Sequence, residues 1–140
     1  MPYTQAGRPL RLQTTLGGDA LLVENMTGEE GVSRLYEFRL NCLSESSTLD
    51  AKKVVRTPAT ITLDLKDAGT RHIHGIVRRF VQGGRDTTFT NYQIEIVPAL
   101  WFLTQRVNSR IFLKMTAVDV IKKILAEGKI DSTSEVSGSF

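Results

Sequence analysis

The sequence is short of the residues on which most catalytic and metal chemistry depends. Its 140 residues hold one cysteine, two histidines, one tryptophan and four prolines. A single thiol, Cys42, cannot close an internal disulfide, which fits synthesis in a reducing compartment. It lies in the apolar stretch Leu40–Leu43 with no histidine near it in sequence, so it reads as a small buried hydrophobe rather than a nucleophile. No apolar run reaches the roughly 18 residues needed to span a membrane. Residues 1–12 hold no continuous apolar segment of the kind a cleaved leader requires, so any export is expected to use another route. Nucleophile-elbow, P-loop and zinc-finger spacings are missing. Glu29, Glu30, Asp64, Asp67 and Asp86 fall in or beside turn sequences, where solvation works against a perturbed acid–base pair. The expectation is a protein that is not an enzyme and carries no cofactor or metal.

What is present points to a folded, strand-rich chain. Hydrophobic residues make up 41% and charged residues 24%, the usual balance of a folded domain. The length allows one core and a fragment of another. A net charge of +3 hides an asymmetry: residues 1–50 hold four basic side chains against seven acidic ones, and the remainder is basic. Such separation suits self-assembly or an acidic partner.

Leu10–Leu16 and Ala20–Met26 flank Gly17-Gly18-Asp19, a pattern that predicts a hairpin. Tyr36, Phe38, Leu40 and Cys42 alternate with Glu37, Arg39 and Asn41, the period-2 signature of a half-buried strand. Residues 49–55 predict a single helical turn. Ile61, Leu63 and Leu65 mark another strand, and Gly69 a turn. Thr70–Gln82 and Thr87–Val97, joined through Gly83-Gly84-Arg85-Asp86, predict a second hairpin. About six short strands with little helix imply an antiparallel barrel or sandwich, the barrel being preferred because it leaves no open edge. At Pro98 the pattern changes. Thr116-Ala117-Val118-Asp119 is close to a capping box, and Val118, Ile121 and Leu125 form an apolar stripe flanked by Val120 and Ile124, with Gly128 as the stop. Residues 131–140 are polar.

Two clusters deserve weighing for chemistry. His72 and His74, at i and i+2, share a strand face as some metal sites require. No Asp, Glu or Cys joins them in that strand, and the face-mates Ile76 and Phe80 are apolar. A structural strand, with Gly75 allowing close packing, is the preferred reading. Arg71, Arg78, Arg79 and Arg85, with Phe80 and Phe89, are the ingredients of a single-stranded nucleic-acid groove. Against it, Arg78 and Arg79 are neighbours on a strand and should point to opposite faces, so no nucleic-acid partner is expected.

Three stretches carry a resemblance. Gly31-Val32-Ser33-Arg34-Leu35-Tyr36-Glu37-Phe38 is a glycine–x–serine entry into an aromatic strand. Arg71-His72-Ile73-His74-Gly75-Ile76-Val77 is a strand with histidine before Gly-Ile-Val. Between Tyr92 and Leu125, a strand ending at Pro98 is followed by Leu100-Trp101-Phe102-Leu103, by Ser109-Arg110-Ile111-Phe112 and by the helix. In order and spacing, over roughly residues 10–130, these resemble the N-terminal region of the VgrG family, the spike proteins of bacterial type VI secretion systems. The resemblance implies an antiparallel β-barrel of the phage tail/baseplate hub type over residues 1–100. Residues 101–130 would begin the inter-barrel domain with one amphipathic helix, Trp101 and Phe112 lying in its core, and 131–140 would be a polar tail of a fragment. It also implies a homotrimer in the full-length protein, docking on the Hcp tube hexamer, a PAAR-type tip protein and secreted effectors. The localisation implied is assembly in the bacterial cytoplasm, then secretion without a signal peptide. A phage or phage-like baseplate hub protein is the alternative. Arg34, Arg39, Arg78 and Arg85, read as exposed charges on strands and turns, are the interface candidates.

Overall fold

The computed structural model describes residues 3–132. The chain divides into two compact units, Met1–Pro98 and Ala99–Phe140. In the first, six strands follow in sequence: β1 (Leu10–Gln13), β2 (Leu22–Glu29), β3 (Glu37–Ser44), β4 (Pro58–Asp64), β5 (Thr70–Arg85) and β6 (Thr90–Val97). They form one antiparallel sheet in the order β1-β4-β5-β6-β3-β2. The edge strands β1 and β2 approach each other without a shared ladder, so the sheet curls into a half-barrel.

Alternation decides which side chains go inside. On β3, Phe38, Leu40 and Cys42 are buried, and on the central strand β6 so are Tyr92, Ile94 and Ile96. Leu12, Ile61, Ile73 and Val77 complete the same cluster from β1, β4 and β5. Phe80 stacks on Tyr92 with ring centroids 5.1 Å apart, and the Tyr92 hydroxyl donates to the Ser46 carbonyl at 3.1 Å. Burial pushes the Cys42 thiol up to about 12, with the Glu24 charge adding to it. A thiol so far from ionisation packs as a hydrophobe.

The expected hairpin over residues 10–26 is not formed. Leu10 and Leu12 pair with Leu63 and Ile61 of β4, while β2 pairs with β3. The intervening glycines serve a tight reversal, in which Thr14 bridges to Gly17, and Asp19 turns away to bind Thr4 and Gln5. β5 and β6 do form a hairpin, but its turn, Asp86 to Phe89, lies three residues later than the expected Gly83-Gly84-Arg85-Asp86. Asp86 N–H donates to the Phe89 carbonyl at 2.9 Å, and the Asp86 carboxylate accepts from the N–H groups of Thr88 and Phe89. These backbone bonds hold that carboxyl below the ordinary aspartate range. An aspartate that can organise the backbone beyond it outcompetes two glycines as the turn-former. The expected single turn is a 3-10 turn, Ala51–Lys53, capped by the Asp50 carboxylate.

The second unit holds a 3-10 segment, Ala99–Gln105, and a helix, α1 (Ala117–Glu127). Its capping box is formed: Asp119 N–H donates to Thr116 Oγ1 at 3.2 Å, and Thr116 N–H to Asp119 Oδ2 at 3.4 Å. Gly128 ends the helix, but with φ −78°; Lys129 takes the left-handed conformation. Val118, Val120, Ile124 and Leu125 are half-buried, whereas Ile121 is exposed, so the stripe is turned by one position from its expected centre. Trp101 and Phe112 are half-buried rather than core. Trp101 meets the Phe102 ring edge-on, and the Phe112 ring lies beneath the cations of Arg110 and Lys123. The described residues of this unit have little apolar material facing inward, so their aromatic rings pack locally. The expected tail falls outside the described residues from position 133 on.

At Gly75 the backbone of β5 lies close against β6. A Cβ there would stand 2.5 Å from Ile96 Cγ2 and 2.8 Å from the Val97 carbonyl oxygen, while one at Gly84 would meet nothing within 4 Å. Gly75→Ala should therefore cost about 1–3 kcal/mol through overpacking and Gly84→Ala close to nothing. The check is the urea midpoint of each variant: equal midpoints would show that the sheet yields at Gly75 without strain.

Candidate functional site

The outer face of the sheet carries the densest charge cluster among the described residues. Its centre is Glu95, a carboxylate whose side chain is only 2% exposed although it points away from the apolar core. It stands opposite Arg39 of β3 on one side and Arg79 of β5 on the other. Arg39 Nε donates to Glu95 Oε1 at 3.1 Å; Arg78 donates to Oε2 through Nε at 3.1 Å and Nη2 at 2.6 Å. Arg79 reaches Oε1 at 3.6 Å. Glu37 then takes a paired contact from Arg78, at 3.0 and 3.1 Å, and a longer one from Arg39. Three guanidiniums thus cover two carboxylates.

A register shift between Val77 and Arg79 makes this possible. The extra residue of a bulge changes which side chains share a face. Ile73 and Val77 face the core before it and Phe80 after it, so Arg78 and Arg79 both reach the same carboxylate instead of pointing to opposite faces. For the same reason Phe80 is no face-mate of the histidines.

Burial would raise the Glu95 carboxyl, but the hydrogen bonds and charges of Arg78 and Arg39 outweigh it and hold the group below the ordinary glutamate range. Arg78 shows the same balance: burial pulls it down, and Glu95 and Glu37 more than restore it. Such a cluster does no acid–base chemistry, because each charged form is locked by its neighbour. It can fix the register of three strands and present a mixed-charge surface.

Of the four interface candidates, Arg39 and Arg78 belong to this cluster, and Arg78 is only 22% exposed. Arg85 donates to the Glu45 carbonyl and to Thr90 Oγ1, tying the β5–β6 end to the residues after β3. Arg34 stands clear, 71% exposed with one ion pair to Glu29 at 3.9 Å. The structure does not bring the four together. Glu95, the residue that organises two of them, was not singled out by sequence. Its signal was an acidic residue between two isoleucines on an apolar strand.

His72 and His74 are exposed and their rings stack 6.2 Å apart. Their Nδ1 atoms meet Thr62 and Thr60 hydroxyls on β4 at 3.1 and 2.9 Å. Among the described residues no three histidine, cysteine or acidic side chains converge to hold a metal ion. The basic set weighed for nucleic acid is dispersed: Arg71 pairs with Glu30, Arg78 and Arg79 with Glu95, and Phe80 is packed on Tyr92. Among the described residues no helix is long and apolar enough to cross a membrane.

The site is thus the ionic outer face of a curled antiparallel sheet whose inner face is apolar. Residues 29–138 match the phage tail baseplate hub (GPD) family, and the chain belongs to that family. Over its whole length it is 33% identical to the type VI secretion system spike protein VgrG1b of Pseudomonas aeruginosa and 30% identical to VgrG1c of the same organism, covering 19% of each. A Vibrio cholerae relative, the actin cross-linking toxin VgrG1, is 35% identical over 80% of this chain and 11% of its own length. The chain thus spans about a fifth of the length of its curated VgrG relatives, or less. Among solved structures, the E. coli c3393 protein matches with a TM-score of 0.70 over 84% of this chain and 31% of its own, at 20% identity. That protein is described as a type VI secretion component similar to the T4 bacteriophage tail proteins gp27 and gp5. The fold is therefore that of a hub-like half-barrel, and the sequence is VgrG-like.

Removing the central carboxylate should have a large effect. Glu95→Ala removes the carboxylate that Arg39, Arg78 and Arg79 share; Arg78 keeps Glu37, and the lost hydrogen bonds to a charged group should cost about 1.5–3 kcal/mol. Because the folded-state value of Glu95 is lowered, its contribution is present above the unfolded value of about 4.3 and is lost as pH falls through the folded value. Glu95→Gln should accordingly flatten the acid limb of stability below about pH 4.3. Denaturant titrations from pH 3 to 7 test both; parallel curves for wild type and Glu95→Gln would show that another group sets the acid limb.

Proposed function

We propose that this chain is the hub-like barrel of a type VI secretion spike. The full-length protein forms a homotrimer that sits on the Hcp tube hexamer, carries a PAAR-type tip protein and delivers secreted effectors. Assembly takes place in the bacterial cytoplasm, and the spike leaves the cell without a signal peptide. The observation that carries this reading is the hub-family match over residues 29–138, laid on a curled six-stranded sheet. Whole-chain similarity to two VgrG spike proteins favours secretion over a phage particle.

The role is mechanical, not enzymatic. The relative with an actin cross-linking name shares only 11% of its length with this chain, so no such activity passes to these residues. Subunit contacts of this kind combine an apolar centre with a polar rim. Arg34, beside the exposed Val32, offers such a rim charge, whereas Arg39 and Arg78 serve the internal cluster first.

Affinity capture of the whole protein from secreting cells should recover Hcp and the PAAR-type tip, and deleting its gene should remove Hcp from the medium. Capture of tail-tube and capsid proteins, with Hcp release intact, would move the chain to the phage reading. Arg34→Glu in the whole protein should lower Hcp release roughly tenfold, as expected when a rim charge is reversed, with no change in melting temperature. Undiminished release would exclude Arg34 from the interface.

A further inference from the structure

The seam between β1 and β2 is where the curled sheet fails to close, and a short segment lies over it. Gln5, 4% exposed, supplies to β1 what a neighbouring strand would supply. Its Nε2 donates to the Leu12 carbonyl and its Oε1 accepts from Leu12 N–H, both at 2.8 Å. Nε2 also donates to the Gly18 carbonyl. Three residues on, Arg8 Nη1 donates to the Val23 carbonyl of β2 at 3.2 Å. Asp19 holds the segment from below, accepting from Gln5 N–H at 2.8 Å and from the Thr4 hydroxyl. Tyr3 meets the Phe89 ring edge-on at 4.7 Å. Residues 3–8 are thus a strap across two sheet edges, and Gln5 is its single buried side chain.

We propose that this strap is exchangeable: residues 3–8 of one copy can leave their own seam and occupy the same seam of a second copy. Uncovering the seam strands the Leu12 N–H and C=O, buried groups that must be bonded again. An occupant needs an amide-like donor and acceptor pair for Leu12 and a cation three residues later for the Val23 carbonyl. The second copy's strap offers that set by identity, so exchange conserves every contact and costs only association entropy. The hinge is suited to it. Gly7, at φ +76°, closes the strap's own turn, in which Arg8 N–H donates to the Gln5 carbonyl at 3.0 Å, so that turn travels with the strap; Pro9 holds Arg8 away from the helical region, and the chain can pivot at that junction without rebuilding β1. Exposed edges otherwise invite pairing with other chains, and the strap limits that pairing to its own kind. This contact between copies does not rest on the spike reading; Hcp release reports on that reading and the strap is tested separately.

Two single-cysteine variants of the chain test it, Thr4→Cys and Asp19→Cys, mixed at rising concentration and oxidised. The native Cys42 stays out of the reaction because it is buried. Exchange yields a disulfide between residue 4 of one copy and residue 19 of the other, identified by mass spectrometry and increasing with concentration. Adding Gln5→Ala to the Thr4→Cys chain should lower that yield by roughly tenfold, as the loss of buried hydrogen bonds implies. The double variant Thr4→Cys/Asp19→Cys reports the closed strap as a link within one chain. A link confined to single chains at every concentration overturns the proposal and leaves the strap a fixed cover. A link between copies that is indifferent to Gln5→Ala overturns it as well, since it would be collisional.

Discussion

Glu95 is the point on which three strands agree. It sits on the central strand, takes Arg39 from one neighbour and Arg78 and Arg79 from the other, and is itself almost fully covered. A buried carboxylate is tolerated only when paired, and a pair that costs desolvation returns little net stability. What it does return is register. A one-residue slip of β3 against β6 would send Arg39 to the opposite face and bring the apolar residues of β3 outward. The bulge in β5 serves the same end, since without it Arg79 would share the face of Ile73 and Val77 and point into the core.

The cluster also resolves the charge asymmetry of the chain. Acidic residues dominate the first 50 positions and basic ones the rest, yet in the fold the two populations meet. Arg71 binds Glu30 and Arg78 binds Glu37, each across 41 residues. Separation along the chain becomes neutralisation across the sheet. A charge imbalance read from sequence as a surface for partners is therefore partly spent within the barrel.

Regular strands were legible because alternation is local. Phe38, Leu40 and Cys42 needed no partner to be read as one buried face, and Thr116 with Asp119 sufficed for the helix start. What was not legible depends on pairing across distance. β1 pairs with β4, some 50 residues away, because the apolar face of the sheet needs Leu10 and Leu12 there; the glycines after β1 said only that the chain turns. The β5 bulge left a trace, since Ile73 and Val77 are odd-numbered and Phe80 even. Reading it as a bulge required knowing that Glu95 waits opposite. The Gly83-Gly84 turn failed for a different reason: glycine permits a turn, whereas Asp86 with its carboxylate on two backbone N–H groups enforces one.

These placements narrow where the barrel can meet other molecules. The inner face is filled by its own apolar side chains, and the centre of the outer face is occupied by charges that already satisfy one another. An incoming group there would have to displace a guanidinium from a buried carboxylate, at a cost that few contacts could offset. What remains are the sheet edges and the loops. The edges are held by Gln5 and Arg8, whose side chains occupy backbone groups that another strand would seek. Among the loops, residues 30–36 present Val32, Arg34 and Leu35 to solvent while Glu30 pairs with Arg71 and the Tyr36 hydroxyl donates to the His74 carbonyl, tying both ends of the loop to β5. A loop fixed at its ends and exposed in its middle gives up little freedom on contact, which makes it a better place for a partner than the more highly charged face beside it.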